Sequence, residues 1–161
     1  EEDLDFVIRE FIKRFKLSDP PEMIPWAREV LQDTERVIGH KNIYIVTNET
    51  QEGVRKRFER DGLTHYLDRV DNPFQGKSKE FHKLATINNG SSFIYIGDLV
   101  SDGEDCLEAR NMGASNLQFY GIIHPYAMCN EESMRQFIES NGEFAKTLNN
   151  LEELSRIWKP Q

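Results

Sequence analysis

Cysteine is nearly missing from this chain. Cys106 and Cys129 are the only two in 161 residues, and they form no CxxC pair, so a disulfide framework cannot be what holds the fold. That scarcity points to a reducing, cytoplasmic setting. No apolar run approaches the roughly 20 residues of a membrane-spanning helix, and no signal peptide opens the sequence, so no membrane partner is expected. Positive charge is also in short supply: 20 Lys and Arg stand against 28 Asp and Glu, for a formal net charge of -8. A basic face for nucleic acid or an anionic membrane surface is therefore not expected. The four histidines, His40, His65, His82 and His124, show no HExxH or other paired ligand spacing, and they read as surface or packing residues rather than zinc ligands. Internal repeats and low-complexity segments are absent too.

What remains is a chain long enough for one main domain with a sizeable core. Leu4, Val7, Ile8, Phe11, Ile12 and Phe15 recur at helical spacing behind Asp3 as a potential N-cap, which predicts an amphipathic helix over residues 4–15. A proline-marked break follows in "LSDPPEMIPWAREVLQD", and then a second helix. The run "NIYIVTN" has residues 43–46 apolar on both faces, as expected for a strand covered on both sides. "TQEGVRKRFERDGL" predicts a charged helix closed by Gly62, and "THYLDRV" a weaker strand. A helix is expected from about Lys77, then the strand "FIYI" and its helix, the strand "NLQFYGII", and the helices "EESMRQFIESNG" and "LEELSRIW". Strand and helix alternate from residue 43 onward, the signature of a parallel α/β sheet with helices on both faces. Trp26 and Trp158 read as packing anchors, Cys106 as a small core residue, and "GIIHPYAMCN" as a surface loop.

Ligands of such sheets bind beyond the carboxyl ends of the strands. Two candidate strands deliver polar groups there, Thr47 with Asn48 and Asp98 with Asp102, while Lys77 starts a helix between them in sequence. A hydroxyl, an amide and an ammonium suit phosphate oxygens, and paired carboxylates suit Mg²⁺. The like-charged carboxylates of "GDLVSDGED" repel one another unless a cation sits among them. A phosphate and metal site is the expectation.

The order "IYIVTN", "GKSKEFHKL", "YIGDLVSDGEDCLEARNMGA" resembles motifs II, III and IV of the haloacid dehalogenase (HAD) superfamily, in its phosphoglycolate phosphatase-like branch. "PPEMIPWAREVL", "RDGLTHYLDRV" and "ESNGEFAKTLNNLEEL" are similar to the flanking segments of that branch, so the resemblance spans nearly everything from Pro21 on. It implies a Rossmann-like (HAD-like) core over residues 21–161, preceded by a helix in 1–20 that resembles a cap remnant. It further implies Mg²⁺-dependent hydrolysis of a small phosphorylated metabolite through an aspartyl phosphate. Carried over, Thr47 would hydrogen-bond the phosphoryl group with the Asn48 backbone close by, Lys77 would neutralise its charge, and Asp98 with Asp102 would hold Mg²⁺. The "GDxxxD" spacing selects Asp102, whereas counting back from Gly113 selects Asp105. Lys79 in "SKEFHKL" rivals Lys77.

The family's motif I, DxDx[TV], supplies the nucleophile on the central strand, and this chain has no good copy. "DLDFVI" places Asp3 and Asp5 at the right spacing, yet only Glu1 and Glu2 precede them and the same residues fit the predicted helix. The central motif I strand is thus apparently missing. An upstream segment carrying it, or a homodimer completing the sheet, is one expectation; a non-catalytic HAD-like binding or regulatory module is the other. A phospho-accepting receiver domain shares the residue types, but there the Asp precedes the Thr and the Lys, the reverse of Thr47, Lys77, Asp98.

Overall fold

Elements form where sequence signals and burial agree. The computed structural model describes residues 26–73, 76–88, 91–123 and 130–154; the predicted helix at 4–15, Asp3, Asp5, His124, Cys129 and Trp158 lie outside them. Helix α1 (Ala27–Ile38) leads through a short 3₁₀ turn (His40–Asn42) into strand β1 (Ile45–Val46). Helix α2 (Gln51–Asp61), a 3₁₀ segment (Thr64–Arg69) and strand β2 (Val70–Asp71) follow. Then come α3 (Ser78–Ile87), β3 (Phe93–Gly97), α4 (Val100–Asn111), β4 (Leu117–Ile122), α5 (Glu131–Ser140) and β5 (Ala145–Leu148). This is an α/β fold in which every strand pair is parallel.

Among the described residues the strands do not make one sheet. β1 pairs with β2, and β3, β4 and β5 pair in that order, with no ladder between β1 and β3. Registers are Ile45 opposite Val70, Phe93 opposite Leu117 and Phe119 opposite Ala145. The single sheet expected from the sequence is divided at the β1/β3 boundary, where Tyr44 and Phe93 meet edge to face with ring centroids 5.9 Å apart.

Alternation along β3 and β4 sends successive side chains to opposite faces. Tyr95 and Phe119 point to a core shared with Phe81 and Leu84 of α3, Cys106 and Ala109 of α4 and Met134 of α5. Ile94, Ile96, Tyr120 and Ile122 point to the other face, covered by Ala27 and Val30 of α1 with Leu148, Leu151 and Leu154. A third cluster of Ile43, Val54, Phe58, Leu63 and Tyr66 fills the space around β1 and β2. No helix among the described residues is long and apolar enough to cross a membrane.

Three expectations change. The segment "THYLDR" is a 3₁₀ helix rather than a strand, because Leu63 and Tyr66, three apart, are the buried pair and Tyr66 donates its hydroxyl to Glu35 Oε2 at 2.7 Å. The first strand is shorter than residues 43–46, since the carbonyl of Ile43 is taken by Arg69 Nε at 2.9 Å. Trp26 is 48 % exposed and anchors little; Ala27 and Val30 carry that end of α1 into the core. By contrast Cys106 is fully buried, as a small core residue should be.

Helix α2 carries its own punctuation. The Thr50 hydroxyl accepts from Gly53 N at 3.2 Å. At the other end Gly62 takes φ 68°, while the amides of Gly62 and Leu63 donate to the carbonyls of Glu59 and Phe58. That is a Schellman closure, with Leu63 and Phe58 packed together in one cluster. A side chain at Gly62 would sit in the left-handed region, so Gly62→Ala should cost about 1–2 kcal/mol. Urea unfolding should show a lower midpoint with an unchanged slope.

Candidate functional site

Beyond the carboxyl end of β3 the chain enters α4 with three aspartates close together. Asp98 follows the strand, half-buried, Asp102 falls in the first turn of α4, and Asp105 lies one position before Cys106. Asp102 is only 4 % exposed. Its carboxylate accepts from Lys77 Nζ at 2.5 Å, and the same ammonium donates to the hydroxyl of Tyr95 at 3.1 Å. Lys77 itself has just 12 % of its side chain in contact with solvent. A charge pair this dry persists because each charge answers the other and the phenol takes a further ammonium hydrogen.

Asp105 does different work. It lies at the amino end of α3, where the Lys77 side chain provides no cap, and the backbone N–H groups of Lys77 and Ser78 favour its charged form. Burial pushes the Asp105 carboxyl above its usual range, against the pull of those two amides and of Lys77. The structure thus separates the two acids that competed in sequence: Asp102 pairs with the lysine, and Asp105 does not. Lys79 is exposed on α3, away from the buried pair that Lys77 makes.

The strand end is shaped for this arrangement. A Cβ at Gly97 would lie 2.6 Å from Asp102 Oδ2, so a side chain there would displace the carboxylate. Tyr95 stays a neutral phenol because burial, then Asp102 and the other nearby negative groups, raise it far above the ordinary value. Burial likewise raises the Cys106 thiol, with Asp102 and Asp105 adding to the effect. An inert thiol, not a nucleophile, is the result.

Thr47 and Asn48 sit beyond the carboxyl end of β1, Asn48 exposed and Thr47 half-buried. Thr47 Oγ1 accepts from the Glu49 amide at 3.1 Å, which leaves its hydroxyl hydrogen free to donate outward. Asn72 Nδ2 donates to the Thr47 carbonyl at 3.2 Å and also to that of Glu49. Among the described residues, no hydrogen bond or ion pair joins Thr47 or Asn48 to the Lys77–Asp102 pair. Lys77 and Asp102 are brought together by contact, with Asp105 close by; Thr47 and Asn48 follow β1, which lies in the other sheet.

Sequence reasoning missed a second cluster. Glu35, His40 and His65 bring one ligand atom each to within 4.8 Å of the others, the one such set of three His, Cys, Asp or Glu among the described residues. Folding brings together residues 25 and 30 positions apart, so no local spacing could have announced them. His65 is on the surface, as expected, and His40 is half-buried beside it.

The Lys77–Asp102 pair makes a direct prediction. Lys77→Met leaves a desolvated carboxylate without its partner and should destabilise the protein by about 3–5 kcal/mol, whereas Lys77→Met with Asp102→Asn should recover most of that loss. Chemical denaturation of the two variants measures both values. Compared with known proteins, the chain matches no family model, no curated protein and no solved structure.

Proposed function

We propose that this chain is a HAD-like phosphohydrolase unit that acts with Mg²⁺ on a small phosphomonoester. The observation that carries the reading is the meeting of Lys77 and Asp102, from the start of α3 and the first turn of α4, beside Asp98 at the carboxyl end of β3. The chain order Thr47, Lys77, Asp98 is the order the family resemblance requires. A further support is the sheet break between β1 and β3, since the resemblance puts the motif I strand at that boundary. An upstream segment, the region of Asp3 and Asp5, or a second copy of the chain would complete the sheet there.

The residues fit these roles by their chemistry. Thr47 can donate its hydroxyl hydrogen to a phosphoryl oxygen, with the Asn48 amide alongside. Lys77 is an ammonium already held in place by Asp102 and Tyr95, and would offset charge on the same group. Asp98 and Asp102 are hard oxygen donors of the kind Mg²⁺ takes in ones or twos together with substrate phosphate, and the ion would supply charge neutralisation there. In the reaction, a carboxylate oxygen of the motif I aspartate attacks phosphorus, the alcohol departs, and water cleaves the aspartyl phosphate.

A second reading, a non-catalytic phosphate-binding module, is favoured by one observation. Asp102 is engaged in a buried ion pair, and no copy of motif I lies among the described residues. One experiment separates the two. The intact chain with Mg²⁺ should release phosphate from p-nitrophenyl phosphate, and Asp98→Asn should lower turnover by roughly 100-fold or more. Undiminished turnover in Asp98→Asn would remove the proposed site. Absence of turnover in the parent chain, with calorimetric heat of phosphate binding that Asp98→Asn or Lys77→Met abolishes, would favour the binding module.

A further inference from the structure

The second cluster lies at the other end of the strands. Glu35 is near the end of α1, His40 opens the 3₁₀ turn before β1, and His65 and Tyr66 belong to the 3₁₀ segment before β2. Because β1 and β2 are parallel, groups that precede both strands gather at their amino ends, while Thr47 lies at the carboxyl end.

Three ligand atoms converge there, and two of them are aimed by outer partners. His40 Nε2 faces both oxygens of Asp68, at 3.0 and 3.2 Å. A proton on Nε2 shared with that carboxylate leaves Nδ1 as a bare lone pair. His40 Nδ1 is buried and has no hydrogen-bond partner. Glu35 Oε1 lies 3.5 Å away, within ion-pair range, without making a hydrogen bond to it. Glu35 Oε2 is occupied by the Tyr66 hydroxyl at 2.7 Å, which turns Oε1 toward the two imidazoles. His65 Nε2 completes the set, 2.8 Å from Glu35 Oε1, and the two imidazole rings lie 4.4 Å apart between centroids.

An orphaned nitrogen lone pair facing a carboxylate oxygen asks for a cation. Tetrahedral zinc, with bonds of about 2.0–2.1 Å, holds its ligands roughly 3.3 Å from one another, and the separations of 2.8 and 3.5 Å around Glu35 Oε1 bracket that value. Imidazole donors select d-block ions over Mg²⁺. We propose that Glu35, His40 and His65 bind one divalent d-block cation, Zn²⁺ foremost, with Asp68 and Tyr66 orienting the ligands from outside. The His65 side chain is 62 % exposed, so the remaining coordination position faces water. The ion fastens α1 to the segment before β2, and the proposal does not depend on the phosphohydrolase reading.

The test titrates the tag-free, metal-stripped chain with Zn²⁺ against a chromogenic chelator, alongside thermal unfolding. One equivalent should bind and raise the melting temperature, since the ion favours the folded state. His65→Gln, an exposed change that leaves the core alone, should weaken binding at least about tenfold, and Asp68→Asn should weaken it about 10–100-fold without removing a ligand. His82→Ala should change nothing. Substituted Co²⁺ should give visible bands of nitrogen and oxygen ligation with no thiolate charge transfer. Equal Zn²⁺ affinity in the parent and His65→Gln chains, or a thiolate band from Co²⁺, would overturn the assignment; so would no binding by the parent chain.

Discussion

The buried pair between Lys77 and Asp102 is the constraint on which the rest of the carboxyl edge depends. Here α3 gives α4 a cation for its first-turn acid, and without it Asp102 would be a desolvated anion. Asp105 lies at the same edge, drawn toward its charged form by the Lys77 and Ser78 amides and by Lys77 while burial opposes them. The pair also fixes what lies beside it: glycine at position 97, where a Cβ would strike the Asp102 carboxylate, and the Tyr95 hydroxyl against the ammonium.

The two ends of the parallel strands carry different chemistry. Beyond the carboxyl end of β3 the groups are carboxylates and a lysine, a hard set suited to phosphate and Mg²⁺. At the amino end they are two imidazoles and one carboxylate, a set suited to softer d-block ions. Parallel pairing is what separates them, because each strand enters from one side and leaves at the other. The chain's acidity alone gives no hint of this division, since it counts Asp68, Glu35, Asp98 and Asp102 alike.

Legibility followed the range of the interactions involved. Helix α2 could be read with its closing Gly62 because its capping is local, within a few residues of chain. β3 could be read because apolar residues on both faces require cover on both faces, which Phe81 and Ala27 provide from opposite sides. The 3₁₀ segment before β2 reads as a weak strand in sequence, whereas its burial sets Leu63 and Tyr66 three residues apart. β5 was not recognised at all: Ala145 and Lys146 have little strand preference, and the ladder to β4 imposes the conformation. Motif order singles out Thr47, Lys77, Asp98 and Asp102, but which of Asp102 and Asp105 pairs with Lys77 depends on where α3 begins in space. For Glu35, His40 and His65 the sequence carried no signal, since their meeting needs α1 and the segment before β2 to pack first.

The break between β1 and β3 bears on how the two halves of the carboxyl edge can act together. In a continuous sheet, hydrogen bonds between neighbouring strands would fix Thr47 relative to Asp98 to within the tolerance of a ladder. Here β1 answers to β2 and β3 answers to β4, and what spans the boundary among the described residues is side-chain packing: Tyr44 against Phe93, and Val46 in the core with Phe81 and Phe119. Apolar packing is strong but not directional, and it tolerates shifts that a phosphoryl-transfer site does not, where a displacement of about 1 Å costs orders of magnitude in rate. A strand paired to both β1 and β3 would convert that packing contact into two ladders and lock the hydroxyl of Thr47 to the same frame as Lys77 and Asp98. Under the phosphohydrolase reading proposed above the boundary has to be bridged, whereas the binding-module reading, with phosphate on the Lys77 side alone, has no such requirement.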